Sequence, residues 1–581
     1  PLVKVAFVYP PFYAKPFNEN LPTVDDEFGL FPHIGFGWAA RGARAAGWQV
    51  RLWDAPAEKK SLDQVTRELC AFGPDLIAFS AHACQTIRDL YAWSQPIRQR
   101  TGVPTLVGGY EAKVYPHEIV EQGGFDFLCG GEGHVFLPEF LPALARGHGY
   151  ERVPDLFWKR RGELTHTFAG ARPRFCDFPT PDRSLFDNRL YYSHISQRKN
   201  FTIGMSEIGC PYPCTFCCMR QSGFDARTAE QVVDEMAECA ALGIREIDWF
   251  DPLMLHDRQR ALEIAREVRR RKLDVIWSCR SRVDSLSFHG TRHRPDHELI
   301  GALAEGGCRR IYFGIESGDD DVLREMMKGQ VASSDLGRTL AAVRESGIMA
   351  LGFFILGAPG DTAQSVRRTV DLSLSLPLAY AQYQIAVIKP HTELERRHVV
   401  DELGIDYWRQ YVAGRVDALL LPTPWTKLER AELERMARRA YLRFYSRPRY
   451  ALSMLRRVQS RDELTRYARV ALQLALRPLR PTAGAGVGRR LARAALTFAE
   501  ATLTVASPVA RHGVFAQGGG LRGALRLARE ELTRRAAEPV LTRDQAGARG
   551  TVTHPPPGRY QTFFDRLRPL GLGADHGLGG K

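Results

Sequence analysis

Glu207-Ile208-Gly209-Cys210-Pro211-Tyr212-Pro213-Cys214-Thr215-Phe216-Cys217 holds three cysteines at C-x3-C-x2-C spacing. Thiolates are soft ligands that select iron–sulfur clusters or zinc over hard cations. Three of them can hold three irons of a cubane, leaving the fourth iron open to something else. A structural zinc site wants four ligands. Cys218 is the nearest candidate, but it is adjacent to Cys217 and is badly placed to converge on the same ion. It reads as a packed thiol. A disulfide framework is disfavoured, because the N-terminus does not read as a secretory signal and all 11 cysteines fall at or before Cys308. A reducing cytoplasm fits that distribution.

Around this run the chain alternates apolar strands with amphipathic helices. Between 200 and 395, strand signals fall at Thr202–Glu207, Glu246–Phe250, Val275–Ser278, Arg310–Phe313, Leu351–Leu356 and Ala381–Ala386. Helices such as Ala229–Ala241 and Ser334–Ser346 lie between them. Six such units predict an open, partial (β/α)6 barrel with its active groups at the C-terminal strand ends.

Residues 1–150 show the same alternation. Strands are expected at Val3–Val8, Gln49–Trp53, Leu76–Ser80, Pro104–Val107 and Phe125–Cys129, with helices at Gly35–Ala46, Leu62–Phe72, 87–100 and 134–145. This predicts an α/β, doubly wound parallel sheet of Rossmann-like form, which binds ligands beyond its strand ends. Those ends carry Tyr9-Pro10-Pro11, Asp54, Ser80-Ala81-His82, Gly108-Gly109-Tyr110-Glu111 and Gly130-Gly131-Glu132-Gly133. Residues 151–199 read as a linker. Residues 396–511 read as a basic helical region, with helices at Lys427–Tyr445, Ala451–Leu476 and Gly488–Ala506. Residues 512–581, with Gly518-Gly519-Gly520 and Pro555-Pro556-Pro557, read as a low-complexity, mobile tail.

At 581 residues, 44% hydrophobic and 25% charged, the chain is long enough for several cored domains. It has no run of about 18 apolar residues, so no membrane-spanning helix is expected. The net charge of +14 belongs to one end: Arg447 to Lys581 carries 24 Lys+Arg against 9 Asp+Glu, and the rest carries 56 against 57. A basic segment can meet anionic lipid, nucleic acid or an acidic partner, or simply be a solvated Arg-rich face. It lacks the clustered aromatics that stack bases, which argues against nucleic acid. Arg456–Leu479 is compatible with an amphipathic surface helix making peripheral membrane contact.

The cysteine spacing, with Phe216 just before the third cysteine, resembles the radical SAM superfamily. That resemblance implies a [4Fe-4S] cluster on Cys210, Cys214 and Cys217 whose open iron chelates S-adenosylmethionine (SAM), with Phe216 beside it. Further segments match, in order, the family's SAM cradle. Asp251, in Trp249-Phe250-Asp251-Pro252, would accept from the SAM ammonium. Arg280, in Ser278-Cys279-Arg280-Ser281-Arg282, would meet the SAM carboxylate or ribose. Glu316, in Gly314-Ile315-Glu316-Ser317-Gly318 with Leu323 and Lys328 following, would bind ribose hydroxyls or a substrate proton and is the catalytic candidate. Gly357, in the glycine motif Gly352–Asp361, would lie beside the adenine. Each also has a plain structural reading: Asp251 as a cap, Arg280 in an ion pair, Gly357 in a turn.

Residues 1–150 resemble the cobalamin-binding domain that precedes many radical SAM cores. The matching positions are Tyr9, Pro10, Ser80, Gly108, Gly109 and Glu132. The Asp-x-His-x-x-Gly motif that supplies an axial histidine in other cobalamin proteins is absent, and His82 is the candidate on the loop where the lower cobalt face would lie. The two-domain order implies cobalamin-dependent methylation of an unactivated carbon on a small-molecule or lipid-like substrate, with electrons from a flavodoxin or ferredoxin. Relatives with this architecture also close or contract rings, so a cyclase or rearrangement catalyst acting on a bulky apolar or tetrapyrrole substrate is the alternative. A non-catalytic metal or nucleic-acid binding protein is the third reading.

Overall fold

In the computed structural model, Val5 and Phe7 face one side of a sheet, Ala6 and Val8 face the other, and all four are buried. A strand apolar on both faces needs cover on both, which a doubly wound sheet supplies. The structure describes residues 3–12, 29–193, 195–288, 294–329, 333–416, 425–447 and 450. The helices expected at Ala451–Leu476 and Gly488–Ala506, the amphipathic stretch Arg456–Leu479 and the 512–581 tail lie outside the described residues. Among the described residues no helix is long and apolar enough to cross a membrane.

In chain order the strands are β1 Lys4–Tyr9, β2 Gly29–Leu30, β3 Gln49–Asp54, β4 Leu76–Ser80, β5 Thr105–Gly108, β6 Phe127–Cys129, β7 Leu156–Arg160, β8 Glu163–His166, β9 Tyr192–Ser193, β10 Phe201–Gly204, β11 Glu207–Cys210, β12 Ser222–Ala226, β13 Glu246–Trp249, β14 Ile276–Ser281, β15 Ser287–Phe288, β16 Arg294–Pro295, β17 Cys308–Glu316, β18 Met349–Leu356 and β19 Tyr380–Ile385. The first sheet has the order β3-β1-β4-β5-β6-β7-β8, parallel through β6. The second has the order β10-β13-β14-β17-β18-β19, all parallel. This is the expected α/β architecture: a Rossmann-like sheet followed by a six-stranded partial barrel.

Three expectations need correction. Residues 151–199 are not only a linker. Leu156–Arg160 and Glu163–His166 add two antiparallel strands to the first sheet, with the turn at Arg161-Gly162, both at positive φ. Tyr192–Ser193 pairs with Gly29–Leu30. Of the region expected at 396–511, the described residues 396–416 and 425–447 pack on the two preceding sheets. Val399, Tyr407, Trp408, Tyr411 and Val412 join the core on the first sheet beside Ile87 and Leu90, while helix Arg430–Tyr445 buries Leu433, Ala437, Tyr441 and Phe444 on the barrel. Finally, the strand expected over Thr202–Glu207 breaks at Met205-Ser206 into β10 and β11. The two sheets are thus welded: Phe201 and Ile203 of the barrel pack on one face of the first domain, and the post-barrel segment packs on the other.

Candidate functional site

The cysteine loop starts at a bulge in β11. Gly209 sits at φ +82 with its α-carbon so close to β12 that an added Cβ would lie 1.8 Å from the Gly223 carbonyl. Only glycine fits such a position. The loop then folds on itself: Cys217 N donates to Cys214 O (3.3 Å), Arg220 Nε to Pro213 O (3.1 Å) and Gln221 N to Tyr212 O (3.1 Å). Thr215 N donates to Met326 O (3.0 Å), and Thr215 O accepts from Leu394 N (3.1 Å). Phe216 packs against Val322, Met326, Ile355 and Ala358, so it anchors the loop to the barrel wall.

Cys214 is buried, and Cys210 and Cys217 are half-buried. Cys218 is exposed rather than packed, and its hydrogen bond to Cys217 holds that thiol down at about 6 against the effect of burial. Burial raises Cys210 and Cys214, and the charges of Lys328 and Arg282 oppose it. Among the described residues the tight grouping of three metal-type donors, all within 4.8 Å, is Cys84, Glu111 and His391. The buried Thr215 hydroxyl and the Ser281 hydroxyl at the end of β14 have no partner. Both are orphaned polar atoms next to where a cluster and SAM would bind, and the donor set fits them.

The barrel rim is otherwise a set of closed ion pairs. Asp251 does not wait for an ammonium group. It is fully buried, and it accepts from Ser206 N (2.6 Å), Ser206 Oγ and Glu207 N (3.3 Å). That clamp is what breaks the expected strand at Ser206. Burial raises Asp251 to about 6, and burial together with the Asp251 charge raises neighbouring Glu207 to about 8. Arg280 donates to Asp248 (3.0 Å) and to Trp249 O (2.7 Å), sandwiched between the rings of Phe250 (3.8 Å) and Tyr312 (4.8 Å). Its plain reading, an ion pair, is what the structure contains. Gly357 lies at φ +80 in a turn whose N–H groups, with that of Ala358, are capped by Asp361.

Glu316 is held at φ +67 and accepts from Lys328 Nζ at 3.0 Å, both side chains buried. A Cβ on Gly314 would stand 2.5 Å from Glu316 Oε1 and 2.9 Å from Lys328 Nζ, so the glycine makes room for this pair. Arg282, passed over in favour of Arg280, bonds the carbonyls of Lys328 (2.7 Å) and Gly329 and stacks on Tyr212 at 4.2 Å. It ties the cysteine loop to the Glu316 loop. Its position two residues beyond Arg280 was the available signal.

At the first domain's strand ends, Gly109 adopts φ +102, and a Cβ there would meet Ala81 O at 2.6 Å. Gly108 O accepts from Ala81 N (2.8 Å), which sets the Ser80-Ala81-His82 loop against the Gly108-Gly109 loop. Tyr9, Phe12, His33 and His82 form one aromatic cluster, with His33 and His82 centroids 5.0 Å apart. Pro10 is buried beside them and Ser80 lies under the glycine turn. Among the described residues both Nδ1 atoms, of His33 and His82, are buried without a partner. Burial depresses His33 to about 3 and His82 to about 4, so both rings are neutral near pH 7. His33 was not foreseen; it precedes a helix and carries no motif. Glu132 pairs with Lys113 (2.7 Å) at the exposed edge. Two buried neutral imidazoles, each with an Nδ1 unpaired among the described residues, and a glycine cradle fit a cobalamin.

The two rims face each other. Phe31 of the first domain touches Phe201 (5.8 Å) and Phe250 (5.4 Å) of the barrel. Tyr110, beyond β5, packs on His391, beyond β19 (5.2 Å).

Residues 208–373 match the family model of the radical SAM superfamily, and residues 28–141 match that of the B12 binding domain. An uncharacterized methyltransferase of Pyrococcus horikoshii is 26% identical over 72% of this chain and 88% of its own. An anaerobic magnesium-protoporphyrin IX monomethyl ester cyclase of Rubrivivax gelatinosus is 22% identical over 59% of this chain and 62% of its own. Among solved structures, the radical SAM methyltransferase TsrM of Kitasatospora setae, with cobalamin and a [4Fe-4S] cluster bound, superposes with a TM-score of 0.54 at 18% identity, over 70% of this chain and 76% of that one. The chain thus carries a radical SAM domain and a B12 binding domain, and iron–sulfur, SAM and cobalamin are the cofactors of such domains.

Proposed function

We propose that this enzyme methylates an unactivated carbon of a small-molecule substrate, using a [4Fe-4S] cluster on Cys210, Cys214 and Cys217, SAM and cobalamin. The observation that carries the reading is the facing of the two rims, the cysteine loop on one side and the His33–His82 cluster on the other. When bound, the cluster supplies the electron that splits the SAM sulfonium into a carbon radical, and cobalamin supplies the methyl carrier.

The chain's own residues bind, orient and exclude water. The cysteine loop, pinned by Phe216, Arg282 and Thr215, fixes the thiolates. Lys328 holds the Glu316 carboxylate beside Gly314, and we assign that carboxylate to a SAM hydroxyl. Arg280, braced by Asp248, keeps a cation at the rim without freedom to swing. Gly109 would let backbone approach the cobalamin closely, and His82 and His33 would help to hold it. Phe31, Phe201 and Phe250 close the seam between domains to water. Electron delivery is assigned to a flavodoxin or ferredoxin.

Anaerobically reconstituted protein, given reductant and SAM with a deuterated methyl group, is expected to yield both 5′-deoxyadenosine and S-adenosylhomocysteine. The second product marks methyl transfer. Deoxyadenosine alone would sink methylation and favour ring closure, the activity named for the cyclase relative. Neither product would sink both.

A further inference from the structure

Away from the cysteine loop, three side chains of metal-ligand type converge from three loops. Cys84 opens the turn after β4, Glu111 follows β5, and His391 follows β19. His391 Nε2 lies 3.0 Å from Glu111 Oε2, and one donor atom from each of the three residues falls within 4.8 Å of the others. Cys84 is fully buried, and the Glu111 and His391 side chains are 4% and 19% exposed. The histidine is held in place at some cost. Its backbone is at φ +63, a left-handed conformation that a non-glycine residue adopts only when its surroundings impose it. Its N–H is fixed to Glu395 Oε2 at 2.6 Å, and its ring is flanked by Tyr110 and Tyr115.

From this geometry we propose that Cys84, Glu111 and His391, with a solvent molecule as the fourth ligand, bind one zinc ion that ties the barrel to the first domain. One sulfur, one imidazole and one carboxylate make a borderline-soft set that suits zinc better than calcium or magnesium. Zinc bonds run about 2.0–2.3 Å for these donors, so ligand atoms around one tetrahedral ion stand roughly 3.3–3.8 Å apart. The His391–Glu111 separation of 3.0 Å is slightly shorter than that, and the Cys84 sulfur lies within 4.8 Å of both donors. Binding takes a thiolate and a neutral imidazole, so the Cys84 proton and the proton shared by Glu111 and His391 are released to solvent. Burial, and after it the negative charge of Glu111, Glu395 and Asp406, pushes the Cys84 thiol up, so the thiolate forms only with the dication bound. The ion would hold the β4 and β5 loops against the loop after β19, setting the separation of the two rims. This role does not depend on which carbon is methylated.

The full chain, reconstituted with iron, sulfide and cobalamin, is supplied with zinc, desalted and analysed by elemental mass spectrometry. About one zinc per chain is expected in the wild type and equally in the Cys210→Ala, Cys214→Ala, Cys217→Ala triple variant, which removes the competing thiols. Cys84→Ser and His391→Gln are expected to lower zinc occupancy tenfold or more with the iron content unchanged. Zinc-edge X-ray absorption should give one sulfur and two or more nitrogen or oxygen neighbours. A wild type without zinc, zinc undiminished in both single variants, or an all-sulfur shell would overturn the proposal. Should Cys84→Ser fail to fold, Glu111→Gln and the absorption spectrum of the wild type decide the matter.

Discussion

At the barrel rim, Asp248, Asp251 and Glu316 each end on a partner within the protein: Arg280, Ser206 and Lys328. At the facing rim of the first domain, His33 and His82 leave buried Nδ1 atoms with none. A buried carboxylate cannot go unpaired without neutralising, whereas a buried imidazole can stay neutral at pH 7 and keep one nitrogen open. The barrel therefore uses its carboxylates to hold loops in shape, and among the described residues the Thr215 and Ser281 hydroxyls are buried without a partner. The first domain sets its Ser80–His82 and Gly108–Gly109 loops with a glycine turn and aromatic contacts and, among the described residues, leaves the Nδ1 atoms of His33 and His82 open. Where a group lies in the barrel says little about what it binds until its partner is known.

The largest expected break in this contrast is Cys214→Ala. The iron content should collapse, and SAM cleavage should fall about 1,000-fold or more, equivalent to roughly 4 kcal/mol of lost barrier lowering. A variant that keeps its iron and its rate would remove the basis for the site. Next in size is Lys328→Met, which strands Glu316 in a buried position. Removing one member of a buried pair costs about 3–5 kcal/mol. Glu316→Gln combined with Lys328→Met should recover most of that stability, read from denaturant midpoints, while SAM cleavage stays low. If the double variant is no more stable than the single one, the pair is not the electrostatic unit described here.

The cysteine run, both parallel sheets and the glycines at strand ends were legible in the sequence, because spacing and strand–helix alternation are local. The Asp251 and Arg280 roles were not. The residue types fit a ligand site, but Asp251's partner Ser206 is 45 positions upstream, and Arg280's partner Asp248 is 32 positions upstream on another strand. The stretch 396–416 looked like the start of a new region because its apolar residues, Tyr407, Trp408 and Tyr411, pack on helix 87–101, far back in the chain. His33 and His391 escaped for the same reason: only the fold brings His82 and Glu111 to them.

Acid titration of the protein without cobalamin tests the open side of the comparison. His82 is depressed to about 4 and His33 to about 3, so between the ordinary imidazole value of 6.5 and those values the unfolded chain binds more protons than the folded one. Stability then rises with pH across that window and is lost as pH falls through it. The slope is at most about 1.4 kcal/mol per pH unit for each ring. His82→Gln should flatten the dependence between pH 6.5 and 4 by up to one ring's share. An unchanged profile would mean that the ring is not held neutral by burial.

The smallest effect is expected at Glu132, which shares the first domain's rim but is paired with Lys113 at 2.7 Å. Both side chains are over a third exposed, and a solvated pair of this kind is worth about 0–1 kcal/mol. Glu132→Gln should leave the denaturant midpoint nearly unmoved, in contrast to Lys328→Met, although the bond lengths are similar. The comparison then turns on burial rather than on pairing. The same variant also measures the part assigned to Glu132 in cobalamin binding. A carboxylate already engaged by a lysine at an open edge should weaken cobalamin affinity only a few-fold in a spectroscopic titration. A loss of a hundredfold would move Glu132 from the edge of the site to its centre, and would shift weight away from the histidine cluster.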